Sequence, residues 1–354
     1  MLPRTLLALL SMLSFPVAFA ADRLAPSAEP PAGLKPAQVP QFIVLGFDDN
    51  PDAEPVNWVT GYLEARRNPA GAGQAATRDG APVRMVFFSN GRYWNNRLTV
   101  AAHQRALAAG HEVANHTLNH EHGQNFTQAQ WQTEMSRCDE TFAANDIPGR
   151  GVIGFRAPYL EYNAAMFDAL AASGRLYDSS IEEGNDPAQD GTKFTWPYTL
   201  DAGSPGAGSR VGHHPGLWEI PLHVFRIPAD ADCERYGTTP GLQVRMGTNL
   251  KQSYGFGSGQ PIDRITGLDW NVFEAAKCTG PEFLAILKYT LDLRLAGNRA
   301  PLMVGGHTAL YARDKPDRRK ALEDFVAYAL SKPEVRFVTG GQLLEWLRAP
   351  QALK

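Results

Sequence analysis

The sequence predicts an α/β protein: a parallel sheet with helices outside it, closed into a distorted barrel of about seven or eight strand–helix units. Three observations carry that expectation. Short apolar runs alternate with helical patterns between Gln41 and Arg348. The runs are continuously apolar, as strands covered on both faces are. One Gly- and Pro-rich stretch, 181–277, breaks the rhythm and is too long for an ordinary connection, so it reads as elaborated loops on one rim rather than a second domain.

The elements follow in order. Residues 1–20 have a basic start, an apolar run from Leu6 to Phe15 and the sequence Ala18-Phe19-Ala20, the pattern of a signal peptide cleaved after Ala20. Residues 21–40 are rich in Pro and Ala and read as a linker, leaving 41–348 as the catalytic domain. Phe42–Phe47 and Val83–Phe88 are buried strands. A helix over Leu98–Ala109 stops at Gly110 and leads into the strand His111–Asn115. Thr127 and Gln130 form a capping box for a helix that buries Trp131, Met135, Cys138 and Phe142. Val152–Phe155 is a strand, and Asn163 caps a helix that Gly174 ends. Late in the chain, a helix from Pro281 to about Gly297 precedes the strand Leu302–Val304. A further helix, the strand Val335–Val338 and the helix Gln342–Arg348 complete the pattern.

Composition excludes several classes. Thirty-four basic against 37 acidic side chains give a net charge of −3, with no basic run to meet nucleic acid or an anionic membrane. No segment beyond the signal peptide is long enough to span a bilayer, so a secreted or periplasmic protein is expected. In an oxidising compartment three cysteines allow one bridge, expected between Cys233 and Cys278, with Cys138 a buried thiol.

Three chemical groups fall just after predicted strands. Asp48-Asp49 ends the first, His116-Thr117-Leu118-Asn119-His120 follows the third, and His307 follows Leu302–Val304. In a parallel barrel every strand ends on the same face, so these distant residues converge. Two adjacent carboxylates at the end of an apolar strand are costly unless something positive meets them. Two imidazoles four apart can face one way if the chain turns into a helix at His116. Two histidines and one carboxylate with open positions make a divalent-metal site.

Phe47-Asp48-Asp49, His116-Thr117-x-x-His120 and Arg156-Ala157-Pro158-Tyr159, with the late His307, resemble the polysaccharide deacetylases, carbohydrate esterase family four, in order and spacing. Within that family the segments Tyr177–Ile181, Trp196–Asp201, His214–Glu219 and Asn298–Leu302 look most like the insect-type chitin deacetylases. The resemblance implies the distorted barrel of the polysaccharide deacetylase type. It also implies that Asp49, His116 and His120 bind one divalent metal, zinc first and cobalt as an alternative. Asp48 is then the general base, Arg156 its partner, the Tyr159 backbone N–H an oxyanion donor and His307 the acid that protonates the leaving amine.

Tyr159 and Trp218 are expected to stack on sugar, since exported sugar-binding sites need apolar faces with polar rims, a core place being the alternative for Trp218. The family's Asp followed shortly by Trp is not evident as one compact motif. Asp178 or another acid is expected to tune His307. Gly305 stands two residues before His307, where the family has a Leu lining the acetyl-methyl pocket. The implied activity is removal of N-acetyl groups from an exported amino-sugar polymer, chitin or its oligomers, with peptidoglycan or O-acetylated xylan as rival substrates. A carbohydrate-binding protein on the same scaffold and a non-haem iron oxygenase are the other classes. The acid, base and ligand positions are all filled, which disfavours the first, and the carboxylate-first spacing disfavours the second.

Overall fold

A computed structural model describes residues 22–147, 151–208, 210–255 and 257–354; the signal-peptide segment lies outside them. The strands are β1 (Gln41–Asp49), β2 (Val86–Ser89), β3 (Glu112–Asn115), β4 (Gly154–Phe155), β5 (Tyr177–Asp178), β6 (Glu182–Glu183), β7 (Tyr198–Leu200), β8 (His214–Glu219), β9 (Leu222–His223), β10 (Phe225–Arg226), β11 (Arg264–Ile265), β12 (Leu302–His307) and β13 (Val335–Phe337). The helices are α1 (Ala53–Glu64), α2 (Arg97–Ala108), α3 (Gln128–Ala143), α4 (Ala164–Ser173), α5 (Asp230–Cys233), α6 (Leu242–Tyr254), α7 (Gly280–Ala296), α8 (Pro316–Leu330) and α9 (Gly340–Arg348).

The main sheet has nine strands in the order β12-β1-β2-β3-β4-β5-β8-β7, with β13 beside the first half of β1. Every pairing is parallel except β7 with β8. The sheet curls into the distorted barrel expected, and its order runs from β12 to β7. One large apolar cluster fills the β1–β12 side under α1, α7 and α8, and a second sits beneath β1, β2 and α9.

Sequence patterning located most of this frame. Gln41–Ile43 through Asp48 are buried, so β1 carries a strand's length of apolar side chains through the centre of the sheet. The Thr127–Gln130 capping box is present, and α3 buries Trp131, Met135, Cys138 and Phe142 as its period requires. Asn163 caps α4, and Gly174 closes it at φ 73°, a left-handed conformation in which a side chain is disfavoured.

Three expectations are corrected by the structure. The stretch 181–277 is not only rim loops: it supplies β7 and β8 to the main sheet and the helix α6. Residues 22–40 pack along the body rather than hang from it. Leu24 and Ser27 pair through their backbones with Thr199 and Trp196, and Pro30, Pro31 and Val39 are buried. The Cys233–Cys278 bridge is not formed. Both are free thiols in the large core cluster, filling space as small apolar side chains, and Cys233 directs its Sγ at the Pro228 carbonyl.

Candidate active site

Strand register brings the site together. Asp48 lies opposite His307 on β12, and Asp49 opposite Ser89 on β2. Ser89 pairs with Asn115, Asn115 with Phe155, Phe155 with Asp178, and Asp178 with Glu219. One layer across the carboxyl ends of seven parallel strands therefore holds the chemical side chains or the residues just before them.

At the end of β1 the chain turns sharply, with φ of 66° at Asp49 and 56° at Asn50. Short polar side chains tolerate that left-handed turn best. The Asn50 amide pins it, donating to the Phe47 carbonyl at 2.8 Å and to Ser89 Oγ at 3.1 Å. The turn leaves Asp49 Oδ1 buried and without a hydrogen-bond donor.

His116 and His120 meet that oxygen without a helix. Thr117 and His120 both take positive φ, 66° and 57°, and the loop is locked by Thr117 N–H to Asn115 Oδ1 and His120 N–H to Thr117 Oγ1. This corrects the expectation that a helical turn would align the two rings. His116 Nδ1–H donates to the Arg156 carbonyl at 2.7 Å, which leaves Nε2 facing Asp49. The His120 and His116 Nε2 atoms lie 3.2 and 3.7 Å from Asp49 Oδ1, and the three ligand atoms lie within 4.8 Å of one another. Burial lowers the His116 pKa to about 3 and also lowers that of His120, though Asp49 opposes it. Both imidazoles are thus neutral, the form that ligates a cation. An orphaned carboxylate oxygen facing two neutral imidazoles fits a divalent ion of the zinc type.

Beside this cluster, Asp48 accepts from Arg156 Nη1 at 2.7 Å, with both side chains buried. Arg156 is held on its other side by the Ser179 carbonyl at 2.9 Å and Ser179 Oγ at 3.1 Å, and its guanidinium lies 4.1 Å above the Phe88 ring. Across the site, His307 donates through Nδ1–H to Asp269 Oδ1 at 2.8 Å, and its backbone N–H donates to Asp269 Oδ2 at 3.0 Å. Burial would lower the His307 pKa, but the hydrogen bond and charge of Asp269, aided by Asp48 and Asp49, raise it to about 9.

Tyr159 takes φ 56° and remains 54% exposed, one face stacked on His122 at 3.9 Å and its ring 4.5 Å from that of His120. Trp218 is not at the surface. It is a core side chain whose Nε1–H donates to Asp22 at 2.7 Å, because β8 is an interior strand of the main sheet. Asp178 is not beside His307 either; it accepts from Ser180 five strands away along the layer.

The acid that holds His307 is Asp269, followed directly by Trp270, which is 37% exposed. The compact Asp-Trp pair stands in the sequence, inside the stretch read as loops. Next to it, Leu268 bridges Gly305, and the Gly305 N–H donates to the Gly267 carbonyl at 2.9 Å. A Cβ on residue 305 would come within 2.5 Å of Leu268 Cδ2 and 2.8 Å of the Gly267 oxygen. Glycine at 305 is required by this close approach, and Leu268 fills the space that a side chain there would take.

Residues 75–177 match the family model described as polysaccharide deacetylase. That segment contains His116, His120, Arg156 and Tyr159; the aspartates of β1 and the His307–Asp269 pair lie outside it. The chain is 25% identical to chitin deacetylase 1 of Bombyx mori, over 91% of its own length and 54% of the relative's. It is 23% identical to chitin deacetylase 8 of the same organism, over 90% of this chain and 74% of the relative. The chain thus spans about half the length of the first of these. A Mycobacterium smegmatis protein assigned as a polysaccharide deacetylase superposes with a TM-score of 0.56, covering 95% of this chain and 99% of its own at 18% identity, a likeness of fold.

Proposed function

We propose that the protein is a secreted or periplasmic metal-dependent hydrolase that removes N-acetyl groups from an amino-sugar polymer, chitin or its oligomers, and releases acetate. The observation that carries the reading is the buried, donorless Asp49 oxygen facing His116 and His120, with the Asp48–Arg156 pair on one side and the Asp269-held His307 on the other. Asp49, His116 and His120 would hold one zinc or comparable divalent ion, which supplies Lewis-acid polarisation of the acetyl group and lowers the pKa of water.

The chain's own residues do the rest. Asp48 is held and oriented by Arg156 and takes a proton as water adds to the amide carbonyl. The Tyr159 backbone N–H faces the developing oxyanion, and its exposed ring offers a sugar an apolar face. His307, whose Nδ1–H is committed to Asp269, gives the Nε2 proton to the departing nitrogen. The carbon–nitrogen bond breaks as a carbon–oxygen bond has formed, leaving acetate and a free amine.

The test is acetate release from a panel of chitin oligomers, peptidoglycan fragments and acetylated xylan. Turnover lost on chelation and restored by zinc or cobalt is expected, with chitin oligomers preferred. Polymer binding with no acetate from any substrate under any metal would replace the hydrolase with a carbohydrate-binding role. A preference for peptidoglycan or xylan would keep the chemistry and change the substrate.

A further inference from the structure

The layer of strand ends continues past Arg156 into two buried carboxyl groups that the reaction does not use. Asp178 on β5 and Glu219 on β8 are register partners on adjacent parallel strands, and both are fully buried. Glu219 Oε1 accepts the Ile181 N–H at 3.2 Å, while Oε2 is buried with no donor, its carboxyl in hydrogen-bonding contact with that of Asp178. Among the described residues no cationic side chain bonds the pair: Arg156, whose charge reaches Asp178, spends its guanidinium on Asp48 and Ser179. The other groups facing it are acids and phenols. Glu183 on β6 accepts from the Tyr198 hydroxyl on β7 at 2.7 Å, and Tyr162 lies close enough to feel both carboxyls. Two ionised carboxylates side by side in a buried layer are strongly disfavoured, whereas one proton between them supplies the donor that Glu219 Oε2 lacks.

We propose that Asp178 and Glu219 share one proton, and that this buried acid pair is the positioning element of Arg156. The connection is continuous. Asp178 accepts from the Ser180 N–H at 3.0 Å and from Ser180 Oγ at 2.7 Å, and Ser180 Oγ accepts the Ala157 N–H at 2.8 Å, the residue after Arg156. The turn so fixed presents the Ser179 carbonyl and Oγ to Arg156, which presents Nη1 to Asp48. Burial first, then the charge of Asp178, pushes the Glu219 carboxyl far above its ordinary range, in keeping with a neutral acid that donates to its neighbour. The kinetic part of this proposal rests on the deacetylase reading; the protonation part does not.

The metal-loaded protein and its Glu219→Gln, Glu219→Ala and Ser180→Ala variants test it. Glutamine keeps a donor at the second oxygen's place, so it should retain the wild-type melting temperature and kcat at neutral pH. It should also abolish the fall in melting temperature that the wild-type protein undergoes when alkali removes the shared proton. Glu219→Ala should lower kcat about tenfold or more, as displaced catalytic groups do, with KM and bound metal unchanged; if it does not fold, Ser180→Ala reads the same link. A glutamine variant as damaged as the alanine one, or one with the wild-type alkaline profile, overturns proton sharing. Wild-type kcat in folded Glu219→Ala or Ser180→Ala overturns the positioning role. Absence of acetate release from the wild-type protein counts against the deacetylase reading alone, because the melting profiles do not depend on turnover.

Discussion

Asp48 and Asp49 are neighbours in the chain with opposite surroundings, and that contrast assigns their roles. Asp48 is engaged by an arginine, whereas Asp49 offers a bare oxygen to two imidazoles. Asp48→Asn should therefore leave metal content unchanged and reduce acetate release by a factor of about 10² or more, the scale of a lost general base; metal analysis and kcat together check this. His307 titrates in the opposite sense to a buried neutral histidine, because Asp269 outweighs the cost of burial and lifts it to about 9. An acid catalyst must hold its proton, so activity should persist in mildly alkaline solution and fall as pH passes through that value. In Asp269→Asn burial acts unopposed by the strongest partner, and the alkaline limb of kcat should move below about pH 6.5, the ordinary imidazole value. A limb that stays in place would detach Asp269 from the acid. Leu268 occupies the space above Gly305, where the family resemblance puts the acetyl-methyl pocket. Leu268→Ala should raise release of propionyl relative to acetyl groups by about tenfold, the lower end of what one methylene discriminates.

At the scale of elements, what the sequence displayed was what local rules determine. The Thr127–Gln130 capping box, the Gly174 stop and the apolar run of β1 are set by residues within a turn or two of each other, and they formed where expected. The Asp49–His116–His120 cluster was legible because both segments end strands, and parallel strands end together. Asp269 was not, because its approach to His307 depends on a backbone bridge between Leu268 and Gly305 that no periodicity announces. Trp218 was misplaced for a related reason: a Gly- and Pro-rich surrounding resembles loop, yet β8 is interior and its tryptophan is core. Asn163 illustrates how much one local signal can hold. Its Oδ1 accepts from the Met166 N–H and from Trp131 Nε1–H at 3.0 Å each, and its Nδ2 donates to the Gln124 and Phe126 carbonyls. It ties α4 to α3 and to the loop that carries His116 and His120. Asn163→Ala should cost about 2 kcal/mol, the upper range of a cap, read from urea unfolding; a loss within error would show that these bonds are replaced by water.

For the whole molecule, the segment before β1 decides how the open side of the sheet is finished. β7 is the last strand in the order, and an unpaired edge invites association with other chains. Residues 24–27 run antiparallel along it, with the Thr199 N–H donating to the Leu24 carbonyl and the Trp196 N–H to the Ser27 carbonyl, each at 2.8 Å. Asp22 then joins Trp218 on β8 to Arg348 at the end of α9, at 2.7 Å to each, and the Ala28 carbonyl accepts from Asn298. The strap thus fastens the last strands of the sheet to the last helix, away from the Asp49–His116–His120 cluster. Removing residues 22–28 strands the Thr199 and Trp196 donors and the Trp218 indole N–H. At about 1–3 kcal/mol for each buried group left unsatisfied, the truncated protein should lose several kcal/mol and self-associate through β7. Asp22→Ala alone should lose about 1–2 kcal/mol by the same rule. Urea unfolding and light scattering measure both effects. A truncated protein with the full-length midpoint and no association would mean that the sheet's edge is finished without the strap.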